Sequence, residues 1–366
     1  MTASSPENGT ATFEDLQEPY DAFFVPRFTV VVGGERFTES QGIVSNLSVD
    51  ASVDAASSFS FTLNYQWNAE YARFEGLDWE RFSPDTDVTI RMGYGDADQV
   101  ELCRGRITSV SPSFPAGSTP TVDVAGYGLL HELTDPPSPG EGRDSWTRTW
   151  TDAAPHEVVE KVVAERGYDF EAVHAEPIDV TPPEIKQEDS QHDLEFLLDL
   201  AKTYAHELFV REGELYFRPA RYDGPPDLEL RYGESLESFS PRIDSTGEVD
   251  RVEVRNWDPE RGSEIVGTAT RAAFDGDDPT TVTVRLSVRD VKEATARAEA
   301  VLANHLDGTV EGSGETVGIP RLRPGTRLRI RGLTDRFTAT YYVESVTHQF
   351  SASGYRTSFD AKRREL

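Results

Sequence analysis

The chain has 366 residues, with 65 acidic against 36 basic side chains and a formal net charge of -29. That length accommodates two or three domains, each with its own core, and a hydrophobic content of 37% with 10% aromatics excludes wholesale disorder. The acids are dispersed along the chain, lysine is scarce and no basic patch is visible, so direct nucleic-acid recognition by phosphate neutralisation is excluded. Cys103 is the only cysteine, which rules out a disulfide framework and a thiolate zinc site. No apolar run approaches the ~20 residues that span a bilayer, so no membrane insertion is expected. Met1 to Tyr20 is polar and acidic, without the basic start and apolar core of a signal peptide, and synthesis in the cytoplasm is the expectation.

In chain order, residues 1–25 predict a flexible N-terminal arm. Residues 26–133 predict an all-β domain. Phe28-Thr29-Val30-Val31-Val32 meets the hairpin signal Gly33-Gly34, Val44 to Val53 and Ser58 to Leu63 alternate at period two, and Thr121 to Ala125 closes the set. Asp135 to Gly142 is rich in Pro and Gly and predicts a linker. Residues 134–226 then predict a small α+β domain. Pro155 suits a first helical turn, Val158, Val159, Val162 and Val163 form a stripe, and Gly167 suits the stop. Ser190 with Asp193 predicts a capping box that opens a helix through Leu194, Leu197, Leu198, Ala201 and Tyr204, and Leu208 to Arg218 predicts a hairpin turning at Gly213. Residues 227–366 return to β, with a connecting helix near 290–306 capped by Asp290 and Glu293. The expected fold class is α+β, mostly β, with two β-rich domains flanking a small α+β one.

Two distant stretches share one pattern. Ser83-Pro84-Asp85-Thr86-Asp87-Val88-Thr89-Ile90-Arg91 has a counterpart in Arg323-Pro324-Gly325-Thr326-Arg327-Leu328-Arg329-Ile330-Arg331. Ile107-Thr108-Ser109-Val110, ending at Phe114, is echoed by Val343-Glu344-Ser345-Val346, ending at Phe350. Each copy is a Pro-led turn, an alternating strand, a loop and a second strand. An internal duplication is one reading, and two coincidentally similar β-turn-β units are the other; strand order decides between them.

Motifs that carry chemistry fail on inspection. His156-Glu157-Val158-Val159-Glu160 has Glu160 where a zinc-protease helix needs its second histidine. Neither His131 nor His206 has a second histidine at helical spacing. A calcium loop starting at Asp275 would need a ligand where Leu286 stands. No nucleophile elbow or P-loop occurs, and Gly126-Tyr127-Gly128 lacks the third glycine of a dinucleotide fingerprint. No catalytic, metal or cofactor residue is therefore assigned, and a structural protein is expected, not an enzyme.

Four stretches resemble the phage late-control D family of tail hub proteins, which is similar to the hub half of VgrG-type spike proteins. They are Met92-Gly93-Tyr94-Gly95 with Cys103-Arg104-Gly105-Arg106-Ile107-Thr108-Ser109-Val110; Gln187 through Ala201, with Asp193, Phe196, Leu197 and Ala201; Val252 to Pro259; and Gly318, Pro320, Leu322 and Gly325 through Tyr342, Val343, Val346 and His348 to Gly354, Tyr355, Thr357 and Phe359. His206-Glu207 departs from the pattern, which usually has Gly after the helix. The resemblance implies two tube-like β-barrels per subunit and a homotrimer forming a six-barrel ring. Its partners would be an inner tube protein, a spike protein and other baseplate proteins.

The function implied is a baseplate hub adapting a sixfold tail tube to a threefold central spike in a contractile injection machine, assembled into a phage-tail-like particle or virion that can be released from the cell. Ala361 to Leu366 cannot encode a spike, so a separate spike chain is expected. A dispersed acidic surface of this kind is carried by haloarchaeal proteins. A tailed haloarchaeal virus, or a tail-associated enzyme degrading the cell envelope, is the alternative setting. Arg327, Arg329 and Arg331 fall on one face of their strand, since side chains alternate. Their first-copy counterparts are Asp87, Thr89 and Arg91, so this basic row predicts a contact with acidic surface on a neighbouring barrel or on the tube.

Overall fold

The computed structural model describes residues 10–95, 98–135, 147–189, 191–243, 249–259, 262–307 and 309–364. The expected arm departs from the reading at once. β1 (Ala11–Thr12) leads into α1 (Phe13–Gln17), which Thr12 and Asp15 close as a capping box. Leu16 and Tyr20 are each only 3% exposed. Phe13, Leu16, Tyr20 and Phe23 recur at helical spacing, and this short apolar face anchors the described part of the arm on the main core. Residues 1–9 of the expected arm lie outside the described residues.

The first β unit comprises β2 (Pro26–Val32), β3 (Glu35–Thr38), β4 (Val44–Ser52) and β5 (Ser58–Leu63). A small hairpin, β6 (Trp67–Asn68) and β7 (Arg73–Phe74), precedes β8 (Asp87–Tyr94), β9 (Val100–Ser113) and β10 (Thr121–Gly128). Gly33 and Gly34 both take positive φ, as a tight two-residue hairpin turn requires. Alternation sends Phe59, Phe61 and Leu63 of β5 and Val122 and Val124 of β10 inward. Gly126 is needed where β10 passes Phe59, because an added Cβ would stand 2.4 Å from that ring. Strand order in this unit is β3-β2-β8-β9-β10-β5-β4.

The α+β segment contains β11 (Arg148–Thr151), α2 (Pro155–Arg166), β12 (Ala172–Ala175), β13 (Glu184–Gln187), α3 (Asp193–Thr203), β14 (His206–Arg211) and β15 (Glu214–Pro219). Helix α2 buries the Val158, Val159, Val162 and Val163 stripe and stops at left-handed Gly167. Residues 136–146, which hold most of the expected linker, and Ser190 lie outside the described residues. The N-cap of α3 is His192, whose Nδ1 accepts from Glu195 N. Asp193 is not a capping partner. It is fully buried and ion-paired with Arg148 and Arg166, and it accepts from Tyr168 and Gln187.

The second β unit begins with β16 (Leu228–Arg231) and β17 (Leu236–Ile243). The described strands of residues 227–366 fall into two sheets. Between β17 and the rest, β18 (Arg251–Asp258), β19 (Ser263–Thr270), β20 (Thr281–Arg285) and α4 (Val291–Leu306) make a separate three-stranded sheet with its own helix. Their core of Val252, Val254, Ile265, Ala294, Ala298 and Leu302 is distinct from the main one. Gly267 lets α4 lie directly on the sheet, since a Cβ there would fall 2.2 Å from the Ala294 backbone. Four further strands complete the unit: β21 (Val310–Val317), β22 (Arg327–Arg331), β23 (Ala339–Ser351) and β24 (Gly354–Arg363). The fold class is α+β and mostly β.

Candidate assembly surface

The two β units carry the same strand order. The path β2-β8-β9-β10-β5-β4 in the first is matched by β16-β22-β23-β24-β21-β17 in the second. The Pro-led turns coincide bond for bond. In the first, Asp85 N donates to Ile107 O at 2.8 Å and Ile107 N to Thr86 O at 3.0 Å. In the second, Gly325 N donates to Val343 O at 2.8 Å and Val343 N to Thr326 O at 2.9 Å. Asp85 and Gly325 occupy the same left-handed corner, at φ 68° and 83°. A bulge follows in both, skipping Thr108 against β10 and Glu344 against β24. Chance resemblance of two short units does not reproduce a six-strand order, a strained corner and a bulge together. The copies differ where β2 runs antiparallel to β8 but β16 runs parallel to β22, and where β1 adds to β16.

The units join edge to edge. β4 of the first lies antiparallel to the C-terminal half of β23, from Ser345↔Ser52 to Phe350↔Leu47, uniting both in one 14-stranded sheet. Val53 N donates to Glu344 O at 3.2 Å, Thr347 Oγ1 to an Asp50 oxygen at 2.6 Å, and Phe28 meets Phe350 edge-on at 4.9 Å. His348 lies inside β23. Its Nε2 donates to Leu322 O, while its Nδ1 accepts from the Tyr355 and Thr357 hydroxyls. Burial drives its pKa down to about 3, so the ring is a neutral hydrogen-bonding element of the junction.

Arg327, Arg329 and Arg331 do share the outer face of β22, with Leu328 and Ile330 turned inward. Each is ion-paired within the chain to the parallel neighbour β16 and the residue before it: Arg327 with Asp227 at 2.7 Å, Arg331 with Glu229 at 2.7 Å and Arg329 with Glu229 at 3.8 Å. Burial would raise the Asp227 carboxyl, but hydrogen bonds from Arg327 outweigh it and hold the pKa below its ordinary value. Asp227 and Glu229 could not be placed opposite this row from sequence, because a parallel register is not encoded locally.

One buried polar cluster escaped sequence reading. Glu207 on β14 accepts from the Tyr342 hydroxyl of β23 at 2.5 Å and lies 3.8 Å from Arg218. It lines a cavity of about 370 Å³ with Asp54, Asp307, Lys362 and Arg364, where three parts of the chain meet. Burial pushes its carboxyl up to about 7, against the opposing pull of the Tyr342 hydrogen bond and the Arg218 charge. Cys103 is buried, and burial raises its thiol to about 12, so it acts as a small hydrophobe. Among the described residues, no group of three or more His, Cys, Asp or Glu side chains is placed to hold a metal ion. No described helix is long and apolar enough to cross a membrane.

Comparison with solved structures finds the same fold in a 43 kDa tail protein of prophage MuSo2 from Shewanella oneidensis. It is 15% identical, with a TM-score of 0.70 over 93% of this chain and 98% of that one. A tail protein from Neisseria meningitidis matches at 14% identity and a TM-score of 0.68, over 93% and 97% of the two chains. An Escherichia coli component of the type VI secretion system matches at 12% identity and a TM-score of 0.54, over 88% and 76%. A search of curated proteins finds no match. The model of one family, described as the Alg8 N-terminal domain, matches residues 24–352, and the chain belongs to that family.

Proposed function

We propose that the protein is a structural baseplate hub of a contractile injection machine, built into a phage-tail-like particle and without catalytic activity of its own. The observation that carries this reading is the duplicated six-strand unit, joined edge to edge inside one chain. A chain made of two like wedges gives a threefold assembly six similar faces, so one ring can meet a sixfold tube on one side and a threefold spike on the other. The fold shared with prophage tail proteins and a type VI secretion component supports the same reading. So do the motifs resembling the phage late-control D family. The partners are two further copies of the chain, an inner tube protein, a spike protein and other baseplate proteins. The dispersed acidity fits a haloarchaeal source, as a virus tail or as an injection system. The test is to locate the chain in particles purified from its source, by antibody labelling or electron cryo-microscopy. Density at the junction of tube and spike is expected. Placement in the sheath or in a fibre overturns the reading.

A further inference from the structure

The internal junction has a counterpart that is unfilled among the described residues. In the second unit, β22 covers the edge of β23 only as far as Tyr342, and β4 fills the same edge from Ser345 to Phe350. In the first unit, β8 covers the edge of β9 as far as Arg106, and no described strand continues along Ser109 to Ser113 on that side. The equivalent of β4 is β17, which pairs with β21 on one edge. Among the described residues its other edge makes only the single Tyr232–Leu236 bridge. Among its described residues one chain thus presents an unfilled socket at β9 and an unfilled insert at β17, each the copy of a contact already made within the chain.

We propose that β17 of one copy adds to residues 109–114 at the end of β9 in a second copy, in the register of the internal junction. The inference rests on the ring reading above and supplies its contact between subunits. Matching β23 to β9 through their common bulge, and β4 to β17 through their pairing with β5 and β21, fixes the partners. Phe350↔Leu47 becomes Phe114↔Phe239, Gln349↔Ser48 becomes Ser113↔Ser240, His348↔Val49 becomes Pro112↔Pro241, and Val346↔Ala51 becomes Val110↔Ile243.

Three observations agree with this register. The Val53–Glu344 bond makes alternate pairs the hydrogen-bonding ones, which places Pro112 against Pro241 at such a position. Proline lacks an N–H, so any other register would set each proline against a residue expecting a donor and spoil two pairs. Here the two gaps coincide, and a slip is penalised. Side-chain parity also fits. Phe239, Pro241 and Ile243 are the half-buried members of β17, while Ser238, Ser240 and Arg242 are exposed, so the apolar set continues the inner face of Val110 and Phe114. The socket ends, moreover, in an aromatic cluster. Phe114 is 58% exposed, lies 5.0 Å from Trp67 and 6.0 Å from Phe74, and Trp79 beside them is 47% exposed. Exposed aromatics at a strand edge are what a subunit contact covers.

The contact is heterologous, so it propagates from copy to copy until it closes. Ser113 and Ser240 form a non-hydrogen-bonded pair in this register, with Cα atoms about 4.5 Å apart, inside the range a disulfide bridges. The experiment uses the full chain with C103A, S113C and S240C under mild oxidation in molar salt, read by non-reducing electrophoresis. The off-register control carries S109C in place of S113C. Covalent multimers at least tenfold more abundant than in the control are expected. Mass measurement of the unmodified chain separates the two levels of argument. Multimers in solution without the Ser113–Ser240 cross-link overturn this contact and leave the hub reading standing, whereas a monomer without cross-links overturns both.

Discussion

Replacing Glu207 with Gln tests the electrostatics at the point where the α+β segment meets the second β unit. The carboxyl is held at about 7 in the folded protein against an ordinary 4.5. Between those values the folded state binds more protons than the unfolded one, so stability falls as pH rises from about 4.5 and levels off above 7. A shift of this size corresponds to about 3 kcal/mol at most, at 1.36 kcal/mol per unit. Gln keeps an oxygen to accept from the Tyr342 hydroxyl and has no charge to desolvate. Losing the 3.8 Å attraction to Arg218 takes back part of the gain. Glu207→Gln should therefore match the wild type near pH 4 and exceed it by about 1–3 kcal/mol at pH 8. Urea unfolding at fixed high salt across that range is the assay, and the difference between the two curves removes the contribution of other buried acids such as Asp54 and Glu293. Parallel curves would refute the assignment of a raised, buried carboxyl.

The salt response follows from the net charge of -29: unfolding free energy should climb between 0.1 M and molar salt as screening shortens from ~10 to ~3 Å, and a flat or falling curve speaks against a halophilic surface. Reversing Arg327 and Arg329 together to Glu breaks ion pairs to Asp227 and Glu229 worth ~0–1 kcal/mol each, so the chain should stay folded by circular dichroism while its assembly weakens. Normal particles from that variant would show the row to be only an internal brace. At the duplicated corner, Asp85→Gly should cost nothing or stabilise by up to ~1 kcal/mol, whereas Gly325→Ala should lose about 1–2 kcal/mol at φ 83°, with its Cβ 2.8 Å from Arg218 Nη2. Equal effects at the two corners in thermal melts would contradict their equivalence.

Local signals were legible in the sequence and long-range ones were not. The Gly33-Gly34 hairpin, the α2 stripe stopping at Gly167, the Asp290 cap of α4 and the paired Pro-led turns all depend on residues close in sequence, and each stands where the pattern put it. The described part of the N-terminal arm was missed because its four aromatic and leucine anchors are spaced among acidic and polar residues, so the segment reads as solvated until a core exists to receive them. The separate sheet of β18 to β20 is not legible in the sequence, because alternation marks a strand but not which sheet it joins. Asp193 read as a cap from spacing alone, while its partners Arg148, Arg166 and Tyr168 come from other elements. The counter-charges of the Arg row and the Glu207–Tyr342 pair depend on register and on contact between units, which no window of sequence contains.

The central claim is that one chain supplies two successive members of a six-unit ring. Electron cryo-microscopy of the purified chain in molar salt, processed without imposed symmetry, measures this directly. The account predicts a closed ring of three chains showing six β units, with the β4–β23 junction and the β17–β9 junction alternating around it. A ring of any other copy number, or three chains touching only through the α+β segments, would contradict it.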